Sequence, residues 1–262
     1  ATRDKPFILP GISFPEPAFS GAVHPKSKAD LDKMGSALSR IAEEDPTLRV
    51  SRNQDTGETI LSGLGDSHVE VAVEKIRRKF GVDLELTTPK VPYKETITVG
   101  SSAEYTHKKQ TGGHGQYGDA WIEIEPLPRD SGFEFVDKIV GGVIPRQYIP
   151  AVEKGVVEAM HEGALAGYPM VDLRVTVFDG SYHSVDSSEM AFKVAGSMGF
   201  KKAMESAKPV LLEPIMNMQI IVPEANTGDV MSDLNGKRAK VLGMTPQGSQ
   251  TVIEALAPLA EV

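Results

Sequence analysis

Residues able to do chemistry concentrate in one stretch, EYTHKKQTGGHGQYGDAWIEIEP, residues 104–126. Gly113, Gly115 and Gly118 have the G-x-G-x-x-G spacing that cradles a dinucleotide phosphate when a strand precedes it and a helix follows. Here the segment that follows, DAWIEIEP, alternates apolar and acidic residues and predicts a strand, so the dinucleotide reading fails on its context. A kinase glycine loop does lie between strands, but no V-A-I-K, H-R-D or D-F-G motif follows, and no G-x-x-x-x-G-K-[ST] occurs anywhere. Two readings stay open. In one, the glycines only serve turns of a flexible hairpin. In the other, an exposed hairpin tip offers His107, Lys108, Lys109, His114 and Gln116 to phosphate, ribose and base edges.

Two further clusters carry weaker signals. DGSYHSVDSSEMAF, Asp179 to Phe192, leads from a strand into a helix capped by Asp186, Ser187 or Ser188. The free N–H groups of that helix start suit an anion, or are satisfied by the caps alone, with His183 then a plain surface histidine. In DLNGKRAKVLGM, Lys237, Arg238 and Lys240 are the only basic residues after Lys208. They complement the dipole at a helix C-terminus or make an RNA or protein contact. The six histidines show no H-E-x-x-H spacing, so no metal site is expected. No G-x-S-x-G elbow occurs; VAGSMGF comes nearest, inside a predicted helix, and reads as close helix packing. Catalysis is not expected on this chain.

The elements that must position these residues fall into three regions. Pro6, Pro10, Pro15 and Pro17 predict an extended linker over residues 1–17. Residues 18–90 read β-α-β-β-α-β, a ferredoxin-like unit. Its first helix opens on Ser27 and carries Leu31, Met34, Leu38 and Ile41 on one face; its hairpin turns at QDTG; its second helix runs from an Asp66 cap to a Gly81 C-cap. Residues 91–208 begin as strands and continue with two helices, one after Pro145 and one after Ser187–Ser188. Residues 209–262 read β-α-β-β, a ferredoxin-like unit short of its last helix and strand, as in a fragment of a longer protein. The fold class is α+β.

Composition narrows the partners. The net charge is −8, with 28 basic and 36 acidic side chains, and the excess is spread along the chain, so any polyanion site must be local. The 262 residues contain no cysteine, which excludes disulfides and thiolate chemistry and fits a cytoplasmic protein. No apolar run reaches the ~20 residues a membrane span needs, and no signal peptide opens the chain.

The glycine loop GGHGQYG, with EFVDKIVGGVIPRQYIPAVEKG, LAGYPMVDLRVTVFDGSYHSVDSSEMAFKVAGSM, LLEPIMNMQIIVPE and GDVMSDLNGKR, closely resembles the C-terminal half of bacterial elongation factor G. KMGSALSRIAEEDPTLRV and TGETILSGLGDSHVEV resemble that family's third domain, residues 91–208 its fourth and 209–262 an incomplete fifth. The resemblance implies a GTPase in a missing N-terminal domain, with GTP and Mg²⁺ as cofactors of the intact parent and none on this chain. It implies that the fourth domain is an elongated arm resembling ribosomal protein S5 domain 2. The arm's tip would meet RNA through Lys108, Lys109, Gln110, Gly112, Gly113, His114, Gly115, Gln116 and Tyr117 of one loop. His183, Ser184, Asp186, Ser187 and Ser188 belong to the other. Gln116 and His183 match positions associated with the tRNA anticodon–mRNA duplex, and Lys237 and Arg238 would face the large subunit. The implied partners are the ribosome (16S and 23S rRNA and ribosomal proteins), tRNA and mRNA, bound by a monomer. His114 stands where many members have arginine, and GLGDSHVEV replaces the commoner GMGELHLEV-like form, as in a divergent, second-copy factor. Translocation is the first implied role; recycling or ligand displacement by a paralogue is the alternative.

Overall fold

The computed structural model describes residues 12–110 and 115–262 and divides into two units, with the boundary between Val91 and Pro92. Residues 12–18 carry no regular structure. The first unit then runs β1 (Phe19–Pro25), α1 (Lys28–Glu44), β2 (Arg49–Arg52), β3 (Thr59–Gly63), α2 (Asp66–Phe80) and β4 (Leu84–Thr87). Its antiparallel sheet has the order β2-β3-β1-β4, and Leu38, Ile41, Leu61, Val69 and Ile76 form the centre of its core. Local chemistry sets the ends of these elements. Ser27 Oγ accepts from Asp30 N at 3.2 Å and caps α1. Gly57 at φ 70° makes the β2–β3 turn, and Gly81 at φ 60° ends α2 by donating to Arg77 O.

Two expectations for this unit need correction. Asp66 is the first residue of α2 and not its cap; Gly65 holds the cap position, and Asp66 Oδ1 accepts from Ser67 N at 2.6 Å. Leu31 lies one turn outside the buried stripe of α1 and is 55% exposed, whereas Ala37 takes a place in the core. The start of α2 is instead held by His68, whose Nδ1 accepts from Leu64 N at 3.1 Å while Nε2 lies 3.0 Å from Asp45 Oδ2. The Thr47 hydroxyl and then the His68 ring hold the Asp45 carboxyl down at about 2.

The second unit contains β5 (Lys94–Ile97), β6 (Ser101–Lys109), β7 (Gln116–Pro126), β8 (Phe133–Asp137), α3 (Ile149–Glu162), β9 (Leu173–Ser181) and α4 (Glu189–Met204). The sheet order is β6-β7-β9-β8, antiparallel except for β8 and β9, which α3 connects in parallel. Alternate residues of β7 and β9, among them Ile122, Ile124, Val175 and Val177, are buried with Val152 and Val156 of α3 and Phe192 and Phe200 of α4. The two helices touch through glycine: a Cβ on Gly155 would sit 2.0 Å from Lys193 O, and one on Gly196 would sit 2.4 Å from Val152 O. This is the close packing expected of VAGSMGF. Tyr148 stacks on Phe192 near the two helix starts, and Lys201 meets Glu162 at 2.6 Å near the two ends, so α3 and α4 run parallel.

Glu95 in β5 is fully buried, yet its carboxylate accepts four backbone N–H bonds, from Ala164, Leu165, Ala166 and Tyr168, at 2.7–3.1 Å. Burial alone would raise its carboxyl, but these four donors outweigh burial and hold it below the ordinary range. The chain continues with β10 (Pro209–Leu212), which pairs with β5, then β11 (Ile215–Pro223), α5 (Thr227–Gly236), β12 (Lys240–Gln247) and β13 (Gln250–Pro258). The last sheet has the order β11-β13-β12, so its first, third and second strands adjoin as β1, β3 and β2 do in the first unit. Leu234, Ile253 and Ala255 form its small core.

Candidate nucleic-acid interface

The β6–β7 hairpin and the β9–α4 connection come together at one end of the second unit. In the hairpin, Lys109 pairs with Gln116. Gly112, Gly113 and His114 lie outside the described residues. Lys108, Lys109, Gln110 and Gln116 are exposed, and neither lysine makes an ion pair among the described residues. Gln116 Oε1 lies 3.0 Å from His107 Nε2.

The second loop is stapled to the first by a ladder of short bonds. Asp186 Oδ1 accepts from Gly115 N at 3.0 Å, and Asp186 O accepts from Tyr117 N at 2.8 Å. Ser187 Oγ donates to Tyr117 O at 2.9 Å, completing a parallel bridge between residues 117 and 187. Ser188 Oγ accepts from Ala191 N and is the true cap of α4. The three capping candidates therefore divide the work: Ser188 caps, while Asp186 and Ser187 join the loops. His183 is 54% exposed, and its Nδ1 accepts from Val185 N at 3.3 Å and Asp186 N at 3.2 Å. Those two donors leave the ring proton on Nε2. The Asp186 Oδ2 oxygen, 3.4 Å from Nδ1, would favour the opposite proton placement only if both backbone bonds were given up. Ser184 is exposed beside it.

A polar row beneath the loops had no sequence signal, because its members are far apart along the chain. Tyr117 Oη lies 2.7 Å from Ser181 Oγ, which donates to Asp119 Oδ2 at 2.9 Å, and Thr106 Oγ1 donates to Asp119 Oδ1 at 3.1 Å. Tyr148 Oη donates to Ser187 O at 3.2 Å. Tyr182 and Val185 are exposed at the outer end of the second loop and were not anticipated.

Because α3 and α4 run parallel, both present their N-terminal ends toward these loops. Each end carries roughly half a positive charge from its unpaired N–H groups. At α4 that partial charge is offset by Glu189 in the first turn.

The third glycine of G-x-G-x-x-G serves neither a turn nor a phosphate. Gly118 lies within β7, where a Cβ would sit 2.8 Å from the Ala191 carbonyl carbon and oxygen. That glycine lets the first turn of α4 lie on the strand. Gly118 is thus a packing glycine, and Gly113, the first of the pattern, lies outside the described residues. Among the described residues no group of three or more His, Asp or Glu is placed to hold a metal ion.

Away from this site, Arg238 at φ 55° is bound to Glu213 at 2.8 and 3.0 Å and to Glu261 at 3.0 Å. Lys237 Nζ lies 3.1 Å from Asp233. The guanidinium already ties the β10–β11 turn to the segment after β13.

Comparison with known proteins assigns every part of this architecture. Residues 14–88 match elongation factor G, domain III; residues 89–208 match domain IV; residues 210–262 match the elongation factor G C-terminus. The chain belongs to the elongation factor G family. It is 55% identical over 263 residues to an elongation factor G-like protein of Thermotoga maritima, matching all of this chain and 38% of that protein. A crystal structure of a Thermus thermophilus protein superposes with a TM-score of 0.83 at 45% identity, over 97% of this chain and 38% of the other. This chain therefore spans well under half the length of the relatives it matches. It carries α+β domains of a translation elongation factor, and the two stapled loops belong to elongation factor G domain IV. Among the described residues no helix is long and apolar enough to cross a membrane.

Proposed function

We propose that these domains are the ribosome-binding portion of a GTP-dependent translocation factor. Loops 110–117 and 181–188 face the tRNA anticodon–mRNA duplex in the decoding region of the small subunit. The observation that carries this reading is the staple between Asp186–Ser187 and Gly115–Tyr117, which joins the exposed 181–188 loop to the start of β7 beside two helix N-termini. Lys108 and Lys109 meet phosphate, whereas Gln116 and the His183 Nε2–H meet base and ribose edges. Fixing the 181–188 loop against Gly115 and Tyr117 before binding lowers the entropy lost on contact.

GTP and Mg²⁺ bind the intact parent outside these residues. Other partners are 16S and 23S rRNA, ribosomal proteins, tRNA and mRNA, engaged by a monomer. Lys237 and Arg238 mark the face toward the large subunit, Arg238 by shaping it. Docking a net-acidic chain on RNA then depends on complementarity at a few patches.

A second reading is a paralogue that acts in recycling or ligand displacement; the Thermotoga relative is named only as elongation factor G-like. Single-round translocation by the full-length protein carrying Gln116→Ala and His183→Ala separates the two. A translocase slows at the step of mRNA movement. Unchanged mRNA movement beside impaired subunit splitting would leave the second reading.

A further inference from the structure

We propose that a third segment, Lys138–Arg146, completes this interface and contacts the RNA phosphate backbone through Lys138 and Arg146. The proposal rests on the reading of the tip given above. Since β8 runs parallel to β9, it leaves the sheet at the same end as the 181–188 loop. Both ends of the segment are pinned there. Lys138 N donates to Val177 O at 2.9 Å. Ile144 is buried against Gly180, where a Cβ would sit 2.7 Å from Ile144 Cδ1. Just beyond, Tyr148 Oη reaches Ser187 O in the second loop.

Between these anchors the chain turns through Gly141 and Gly142, both at φ 72°, and leaves Val140 80% exposed. Lys138, Arg146 and Gln147 are also exposed, and neither cation makes an ion pair among the described residues. Elsewhere in the unit Arg174, Lys193, Lys201, Lys237 and Arg238 are paired with carboxylates. The nearby acids are already engaged: Asp137 Oδ1 accepts from Ile139 N and Asp179 Oδ1 from Gly180 N. Two unpaired cations on an anchored, glycine-hinged segment beside the RNA-facing loops suit phosphate, which asks for charge and close backbone approach without base reading.

The test uses the full-length protein with programmed ribosomes and two arms. An iron chelate attached at Ser184→Cys, or separately at Val140→Cys, in a background without other thiols, reports local rRNA cleavage. The Lys138→Ala/Arg146→Ala variant reports the salt dependence of binding. The expected result is that the Val140 probe cuts decoding-region RNA overlapping the Ser184 cuts. Affinity lost between 50 and 200 mM salt should become about tenfold smaller in the double variant, from two fewer phosphate contacts. Cuts from Ser184 with none from Val140 would overturn the third segment and leave the tip reading standing. An unchanged salt slope would overturn the roles of Lys138 and Arg146 wherever the Val140 probe cuts. Cuts from neither position would sink both readings together.

Discussion

Replacing Gly118 by alanine should open the joint between β7 and α4 and loosen the stapled loops with it. The new Cβ would stand 2.8 Å from Ala191 C and O and 2.9 Å from Phe192 N. Those distances fall at least about 0.6 Å short of ordinary van der Waals contact. All three atoms are backbone, so no side chain can swing away. Ala191 and Phe192 are fully buried and Phe192 stacks on Tyr148 at 5.0 Å, which leaves the helix start little room to retreat. Overpacking of this kind costs about 1–3 kcal/mol. The displacement passes directly to Ser187 and Ser188, stretching the 2.9 Å bond from Ser187 Oγ to Tyr117 O. Trp121, the chain's single tryptophan, lies three residues away in β7 and edge-on to Phe178, so its fluorescence in a urea titration reports this unit. Gly35→Ala in α1 is the contrasting case, read by far-UV circular dichroism because Trp121 lies in the other unit; no atom lies within 4 Å of its Cβ. The same added methyl should there stabilise by up to about 1 kcal/mol, since helical glycine pays excess backbone entropy. A Gly118→Ala loss under about 0.5 kcal/mol, within the range of neutral surface changes, would refute the close-approach argument.

Two further outcomes follow from buried and paired carboxylates. Glu95→Gln replaces one of two oxygens, each accepting two backbone N–H bonds, with an amide NH₂ that faces donors. The loss should be about 3 kcal/mol, allowing for water reaching the exposed Ala164–Ala166 segment, and a Trp121-detected urea midpoint unchanged from the parent would contradict it. Glu95 has a folded value below its unfolded one, so its contribution is present above roughly pH 4.3 and fades as pH falls through the folded value. The glutamine variant should lack that acid dependence. Asp45, held at about 2 by Thr47 and His68, obeys the same sign: its stabilisation is complete above roughly pH 4 and is lost as pH falls through about 2. An NMR titration of the Asp45 carboxyl carbon should show a midpoint near 2, moving upward in His68→Ala; an ordinary midpoint in the parent would dismiss the clip.

Much of the candidate site was legible as composition and context. The strand after the glycine loop excluded a dinucleotide fold before any geometry was known, and β7 is that strand. A capped helix start after His183 was also legible, though not which of Asp186, Ser187 and Ser188 caps it. That choice depended on Gly115 and Tyr117, which lie about seventy residues earlier and draw Asp186 and Ser187 away from the helix. Leu31 and Asp66 mark the same limit at smaller scale. Helical periodicity does not say where a helix overhangs its sheet, and a favourable cap residue does not say which peptide begins the helix.

The sequence by itself determined the features whose cause lies within a few residues. Ser27 and Gly81 bound their helices, Gly57 turns its hairpin, and period-two alternation makes β7 a strand, because dihedral preference, capping and side-chain direction are local properties. Family membership was legible too, since it resides in the order of residues. Tertiary structure alone decided that α3 and α4 run parallel with both N-termini at the loops, and that Gly155 and Gly196 permit the contact. It also decided that Gly118 makes room for a helix and that β10 returns to pair with β5. These contacts join residues roughly forty to over a hundred positions apart, and the choice among possible partners is made by how the whole core closes.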